Sequence, residues 1–247
     1  MKFLFIVQGE GRGHFTQAIT LEEMLLRNGH EVVEVLVGKS STRTLPGFFN
    51  RSIHAPVKRF ISPNFLPTAD NKRANLTKSF AYNLLRLPKY LRSMYYINQR
   101  IRETGAEVVI NFYELLTGLT YALFRPSVPY ICVGHQYLFL HRDFEFPDKN
   151  SCQLWMLRFF TRMTALRSSK KLALSFLEME QDDMNQIVTV PPLIRQEVTA
   201  IRPEKGDYIH GYMVNSGFAD SVESFHAKHP EVPLTFFWDR SDAEEVT

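Results

Sequence analysis

Short apolar runs alternate with amphipathic segments along most of the chain. The runs are rich in β-branched and aromatic residues and are bounded by turn residues, which predicts strands with both faces buried. Predicted strands cover Phe3–Val7, Glu31–Val37, Val57–Ile61, Ala106–Phe112, Val128–Val133 and Lys171–Ser175. One predicted helix follows the first strand, and others cover about Ser40–Asn50 (a capped turn), Leu76–Thr104 (broken or bent near Pro88), Leu115–Phe124 and Ser151–Arg167. This alternation predicts an α/β fold in which helices cover two sides of a parallel sheet.

The β-α-β pattern restarts near the C-terminus, after two proline-containing stretches at Val190–Leu193 and Arg202–Gly206. The predicted elements beyond them are the strand Tyr208–Val214, the helix Ala219–Lys228 and the strand Val232–Trp238. Two strands and one helix are too few to bury a core of their own. We therefore expect a first domain at 1–190, a linker at 191–206 and the beginning of a second domain at 207–247. Either the natural protein continues, which we favour, or this segment packs on the first domain.

A glycine-rich turn, Gly9-Glu10-Gly11-Arg12-Gly13-His14, joins the first strand to the first helix. Glycines let the backbone approach a ligand, and the helix start offers unpaired N–H groups to an anion. His14 stands in this opening, where an ordinary imidazole titrates near neutral pH. The turn does not match the dinucleotide-binding fingerprint, because His14 stands at the position of its third glycine. It does not match a P-loop either, because no Lys-Ser/Thr follows Gly13. The turn predicts a ligand site without a nicotinamide cofactor.

Polar side chains also follow two later strands. Asn111 and Glu114 stand at the end of one predicted strand, and His135 and Gln136 follow the next. Because the carboxyl ends of parallel strands meet at one edge, we expect these residues to share a crevice with His14. Structural roles are the alternatives: Glu114 beginning a helix, His14 capping one, and the glycines only making a tight turn.

Composition narrows the class of protein. The 247 residues are 45% hydrophobic and 22% charged, as in ordinary globular proteins. No apolar run is long enough to cross a membrane, and Glu10 and Arg12 interrupt the N-terminal run too early for a signal peptide. Two cysteines allow neither a disulfide framework nor a metal site, and the acidic run 178–183 is predicted to be a solvated loop. We expect a reduced, cytoplasmic protein without a metal.

Charge is uneven along the chain. Residues 1–205 contain 27 basic and 18 acidic side chains, whereas residues 206–247 contain 2 and 8. No nucleic-acid-binding motif accompanies the basic part, so nucleic acid is not an expected partner. Two basic amphipathic segments, 84–102 and 154–171, leave two interpretations open. They either lie in a lipid interface or pack on the sheet with their basic residues in water.

The chain resembles the GT-B glycosyltransferases, whose two Rossmann-like domains face a cleft. It is most similar to the branch that adds N-acetylglucosamine to lipid I. The similarity lies in the first glycine loop ending in Gly13-His14, in Asn111–Glu114, in Val133–Gln136 and in Pro191–Leu193. The resemblance implies that the N-terminal domain binds a glycan or lipid-linked acceptor and that the C-terminal domain binds a UDP-sugar. Its sugar-nucleotide motif would follow the strands at 208–238, so we expect a truncated and inactive form.

The resemblance also implies roles for individual residues. His14 would be the general base and Glu114 the carboxylate that orients it. Gly11, Gly13, Asn111, His135 and Gln136 would contact the acceptor, although relatives often have Asp where Asn111 stands. A non-catalytic glycan- or lipid-binding module and a UDP-sugar epimerase are the alternative functions. The expected location is the cytoplasm, at the inner face of the membrane if the basic helices bind lipid.

Overall fold

The computed structural model describes residues 1–39, 45–64, 66, 76–146, 151–213 and 216–238. The chain divides into two units. The first unit consists of residues 1–63 and 86–200, and the second of residues 64–85 and 201–247. The sequence pattern places 64–85 in the first domain, since no composition break separates it from its neighbours; in the structure this segment groups with the C-terminal residues.

The first unit is built on parallel strands and the helices that connect them. Its described strands are β1 (Lys2–Val7), β2 (Glu31–Lys39), β3 (Val57–Ile61), β4 (Val108–Phe112), β5 (Tyr130–Gly134), β6 (Lys170–Leu174) and β7 (Ile187–Val190). Its described helices are α1 (Arg12–Arg27), α2 (Gly47–Ser52), α4 (Leu87–Glu103), α5 (Leu115–Phe124), α6 (Cys152–Thr164) and the short α7 (Gln196–Thr199), with a 3-10 helix at His135–Leu140.

These strands form one seven-stranded sheet in the order β3-β2-β1-β4-β5-β6-β7, with every pairing parallel. The predicted α/β fold is therefore confirmed. The carboxyl ends of the strands lie at one edge, as Val7 is paired with both Val37 and Phe112. Strand β7 was not predicted, because its four residues run directly into Pro191. The helical turn predicted at 40–50 occurs later, as α2, and residues 40–44 lie outside the described ranges.

Two apolar layers hold the helices to the sheet. One cluster joins α1 and α2 to one face, through residues such as Phe15 and Phe49. The other joins α4, α5 and α6 to the opposite face, through residues such as Ile97 and Leu116. Helices α5 and α6 come close enough that a Cβ at Gly118 would overlap the carbonyl oxygen of Met163. The sheet is thus covered on two sides, as parallel sheets require.

A buried carboxylate ties the edge of the sheet to α4. Glu34 on β2 accepts two hydrogen bonds from Arg100, at 2.8 Å from Nε and 3.0 Å from Nη2. It also lies 2.7 Å from the Lys58 ammonium on β3. Because only 3% of Glu34 is exposed, its charge needs both partners. These ion pairs join β2, β3 and α4.

The acidic run 178–183 is solvated as predicted at Glu178, Glu180 and Asp183, which are exposed, but it differs at Asp182. Asp182 is fully buried and forms a β-bridge with Ile187. Its carboxylate accepts hydrogen bonds from the Arg142 N–H at 2.9 Å and from Asn185 Nδ2 at 2.7 Å. Burial alone would raise the pKa of Asp182, but these hydrogen bonds outweigh it and the pKa is lowered. Asp182 therefore holds the loop before β7 rather than facing water.

The second unit contains α3 (Leu76–Leu84), a two-stranded parallel sheet and α8 (Ala219–Lys228). The sheet pairs β8 (Ile209–Met213) with β9 (Leu234–Trp238), and a 3-10 turn at Ser216–Phe218 precedes α8. The helical region predicted at 76–104 is broken near Pro88, as expected: α3 ends at Leu84, and Pro88 occupies the first turn of α4. In the described residues, no helix has the length and apolar character needed to cross a bilayer.

Candidate functional site

The glycine turn after β1 packs tightly against the end of β2. A Cβ at Gly9 would overlap the carbonyl oxygen of Gly38, so only glycine fits this position. Helix α1 then begins at Arg12 with Gly11 as its N-cap. No side chain caps this helix, its first turn contains no acidic residue, and a Cβ at Gly13 would meet nothing within 4 Å. The start of α1 thus offers backbone N–H groups and open space, as an anion site requires.

His14 lies within the first turn of α1 and only 6% of it is exposed. Its ring stacks on that of Tyr113, with centroids 5.9 Å apart and planes inclined by 18°. Burial lowers the pKa of His14 to about 4; the Gln17 side chain opposes this shift, and nearby His135 adds to it. The expected titration near neutral pH is therefore wrong, because the buried site disfavours the imidazolium. His14 is a neutral imidazole at pH 7, and its Nδ1 has no hydrogen-bond partner among the described residues.

Glu114 is fully buried at the end of β4, where it caps α5. Its Oε1 accepts hydrogen bonds from the Ser62 hydroxyl at 2.6 Å and from the Leu116 N–H at 3.2 Å. Burial raises the pKa of Glu114 to about 7, although the hydrogen bonds from Ser62 and Leu116 favour the charged form. The hydrogen bonds described for Glu114 thus join it to the end of β3 and to its own helix, and not to His14.

Asn111 shapes the turn that carries Tyr113 and Glu114. Its side chain is fully buried, with Oδ1 accepting from the Glu114 N–H at 3.0 Å. Its Nδ2 donates to the carbonyl oxygens of Glu114 at 3.2 Å and Thr164 at 2.9 Å. This arrangement holds Tyr113 in the left-handed region, at φ 61°. An aspartate could not donate the two Nδ2 bonds, which explains the amide here and leaves Asn111 supporting the turn rather than facing an acceptor.

His135 and Gln136 follow β5 at the same edge. His135 Nδ1 lies 2.8 Å from the carbonyl oxygen of Leu174, so Nδ1 carries the proton and Nε2 is the acceptor. The amide oxygen of Gln136 is buried and has no partner among the described residues. A Cβ at Gly134 would lie 3.0 Å from that oxygen, so Gly134 leaves room for it. Electrostatic interaction with His135 also contributes to the lowered pKa of His14.

Two tyrosines and two threonines also belong to the site, and they were not predicted from the sequence. The Tyr113 hydroxyl lies 2.7 Å from Thr161 Oγ1 on α6, and its ring meets that of Tyr137 edge-on at 5.7 Å. The Tyr137 hydroxyl lies 3.1 Å from Thr164 Oγ1. Tyr113 directly follows β4, just before Glu114. This position at the end of a strand could have identified it as a site residue. The edge of the sheet therefore joins α1, β4, β5 and α6 around one aromatic stack.

Buried polar and aromatic side chains thus gather at the carboxyl edge of the parallel sheet, which is the edge where open α/β folds in general bind their ligands. The family model described as glycosyl transferase family 1 matches residues 1–242. The chain belongs to this family. By sequence, none of the curated proteins compared matches the chain.

Solved structures show the same fold. Arabidopsis thaliana UGT89C1 complexed with UDP-L-rhamnose has a TM-score of 0.54 at 15% identity, covering 100% of this chain and 67% of that chain. The glycotransferase of kitacinnamycin has a TM-score of 0.55 at 14% identity, covering 99% of this chain and 68% of that chain. MurG of Acinetobacter baumannii has a TM-score of 0.48 at 11% identity, covering 96% and 60%. The similarity to UGT89C1 and to the glycotransferase of kitacinnamycin shows the GT-B fold alone, and the lipid I branch stays a prediction.

We expect Glu114→Gln to stabilise the protein increasingly as pH rises. The folded state raises the pKa of Glu114 from 4.5 to about 7, so it binds this proton more tightly than the unfolded chain does. Stability from this group is present below about pH 4.5 and is lost as pH rises through 7. Glutamine keeps the acceptor for Ser62 and removes the ionisation, so the gain at pH 8 is up to about 3 kcal/mol.

The measurement is urea unfolding of both proteins at pH 5 and pH 8. Glu145→Gln, which neutralises an exposed carboxylate, is the matched control and should change stability little at either pH. An equal effect of Glu114→Gln at the two pH values would mean that Glu114 is already ionised in the fold.

Proposed function

We propose that this chain is the acceptor-binding part of a glycosyltransferase that transfers a sugar from a UDP-sugar to a glycan or lipid-linked acceptor. The observation that supports this most directly is the edge of the sheet, where His14 stacks on Tyr113 beside His135. Family membership supports sugar transfer, and solved neighbours contain UDP-L-rhamnose, UDP or quercetin. The comparisons give no support to a UDP-sugar epimerase.

The proposed reaction uses His14 as the proton acceptor. The oxygen of an acceptor hydroxyl forms a bond to the anomeric carbon, and the bond from that carbon to the UDP oxygen breaks. The hydroxyl proton passes to an imidazole nitrogen, so the sugar is transferred and UDP leaves as an anion. A neutral His14 is ready to accept a proton at pH 7, and the N–H groups of Gly11 and Gly13 are placed to contact a phosphate.

His135 and Gln136 would then orient the acceptor. His135 Nε2 is an acceptor, and the Gln136 amide oxygen is an unpaired acceptor. Sugar hydroxyls supply the donors that such buried acceptors need once water is excluded. Glu114 would act through Ser62 and α5 as a positioning residue, because its hydrogen bonds hold the ends of β3 and β4 together.

Substituting His14 by asparagine should lower the rate of sugar transfer by roughly 10²–10⁴-fold, because a general base contributes about that much. Asparagine retains a planar polar group in the buried position, so a melting curve checks that the fold survives. His226→Asn, at an exposed histidine on α8, is the control and should retain turnover. Near-full activity in His14→Asn would rule out the general-base role.

We also propose that the 247 residues bind the donor poorly. The chain spans 67% of UGT89C1 and 60% of MurG by length. In GT-B enzymes the sugar-nucleotide motif belongs to the C-terminal domain, of which this chain has the elements β8, α8 and β9.

Calorimetric titration of the 247-residue protein with UDP and several UDP-sugars should therefore give no micromolar binding. A titration with glycan acceptors in the same buffer provides the comparison, since the acceptor edge belongs to the first unit. Micromolar binding of UDP that Arg92→Ala leaves unchanged would place the nucleotide on the glycine turn at Gly9–Gly13 or reverse the assignment of the two halves.

A second candidate function is a non-catalytic module that keeps the crevice for a glycan or lipid. Two observations favour it: the pKa of His14 is lowered to about 4, and the described hydrogen bonds of Glu114 do not reach His14. A base with so low a pKa and no carboxylate partner is weakly activated. This module would bind acceptor without transferring sugar even when a complete donor domain is present.

We further propose peripheral contact with the inner face of a membrane. Helix α6 leaves Trp155 63% and Phe159 49% exposed, and their rings stack with centroids 5.4 Å apart. Arg162 is exposed on the same helix. Exposed aromatic residues beside arginines favour the interface of an anionic bilayer.

The double substitution Trp155→Ala/Phe159→Ala should reduce co-sedimentation with vesicles containing about 30 mol% phosphatidylglycerol in phosphatidylcholine, because these rings supply the buried apolar area. Phe176→Ala removes an aromatic ring that is 81% exposed outside α6 and should leave binding unchanged. Unaltered sedimentation of the double variant would contradict contact through α6.

A further inference from the structure

A cavity of about 300 Å³ lies between the edge strand β3 and the first half of α4. Arg59 and Phe60 line it from the strand. Lys89, Arg92, Ser93 and Tyr96 line it from the helix, where their spacing of three or four residues places them on one face. Its volume is at the lower end of the range for small-molecule sites. None of these residues belongs to the crevice around His14.

The charge in this cavity is unbalanced. Arg59, Lys89 and Arg92 are all exposed cations, and no carboxylate is among the lining residues. In the described part of the chain, none of the three forms an ion pair. Three neighbouring cations around one concavity create a positive potential that concentrates anions.

These cations are not needed to hold β3 to α4. Lys58, the neighbour of Arg59, and Arg100, one turn beyond Tyr96, already perform this task by pairing with Glu34. Strand β3 and helix α4 therefore carry two groups of cations. Lys58 and Arg100 are neutralised by Glu34, whereas Arg59, Lys89 and Arg92 have no carboxylate partner in the described part of the chain. The neutralised group is structural, and the second group is available to a ligand.

The donors suit a phosphate group. Two guanidinium groups offer forked N–H donors, and an ammonium offers a compact charge, which together match the oxygens of a phosphate. Ser93, which is buried, and Tyr96, which is half-buried, also line the cavity, so two hydroxyl-bearing side chains accompany the cations. Phe60 forms an apolar floor that excludes water from one side.

We propose that this cavity binds a phosphate monoester or diphosphate group through Arg59, Lys89 and Arg92. The group belongs either to a soluble phosphorylated molecule or to a lipid headgroup, since the recognition chemistry is the same. This inference does not rest on the proposed sugar transfer, because no residue of the crevice takes part in it.

The first experiment is calorimetric titration with inorganic pyrophosphate at low ionic strength. Arg92→Ala and Lys89→Ala should each weaken binding by roughly tenfold, as loss of one charge-assisted contact does. Arg102→Ala removes an equal charge from an exposed position on α4 outside the cavity and should leave the dissociation constant within about twofold. Arg92→Lys should fall between wild type and Arg92→Ala. Melting curves check that each variant is folded.

A second arm distinguishes the sources of the phosphate. Vesicles of phosphatidylcholine containing about 20 mol% phosphatidic acid are compared with the same vesicles after addition of pyrophosphate. Both measurements use the Trp155→Ala/Phe159→Ala background, so that α6 does not contribute: a lipid source gives sedimentation that Arg92→Ala and pyrophosphate both abolish, and a soluble source gives calorimetric binding alone. Absence of binding in both arms, or an equal loss in Arg102→Ala, overturns the proposal. The variants of α6 report on membrane contact independently of this cavity.

Discussion

The parallel pairing of β1 with β2 and β4 is the constraint on which the rest of the first unit depends. It places Val7, Val37 and Phe112 side by side, so the chain leaves all three strands at one edge. Both faces of these strands are buried, which fixes the register because a slip would expose apolar side chains or bury polar ones. Residues far apart in sequence, from the glycine turn to His135, are brought together by this register alone.

The same burial determines the protonation of the crevice. The pKa of His14 falls to about 4 and that of Glu114 rises to about 7, so between these values both groups are neutral. Their shifts have one main cause, since a buried site disfavours a charged imidazole as much as a charged carboxylate. A base and an acid therefore share the edge of the sheet without forming an ion pair. Gln136 Oε1 and His14 Nδ1 have no hydrogen-bond partner among the described residues, and a bound ligand would supply one.

Much of the fold could be predicted from the sequence, because apolar runs and helical spacing reflect burial directly. Helix Leu115–Phe124 and strand Val57–Ile61 have their predicted bounds. Strand β7 was missed because it is short and is followed by prolines. The positions of the site residues follow from strand ends, but their surroundings do not. The role of Asn111 depends on the carbonyl of Thr164, 53 residues away, and the burial of His14 depends on a left-handed turn at Tyr113.

The two-stranded sheet of the second unit has a consequence for handling the protein. In the described residues, β8 pairs only with β9, so each strand has one edge whose N–H and C=O groups lack a strand partner. Tyr212 and Phe237 on these strands are 56% and 57% exposed. Open edges with aromatic side chains are templates for pairing with another chain. Concentrated solutions of the isolated 247 residues should therefore self-associate through β8 and β9, and a lysine at either aromatic position is the simplest means of keeping them monomeric.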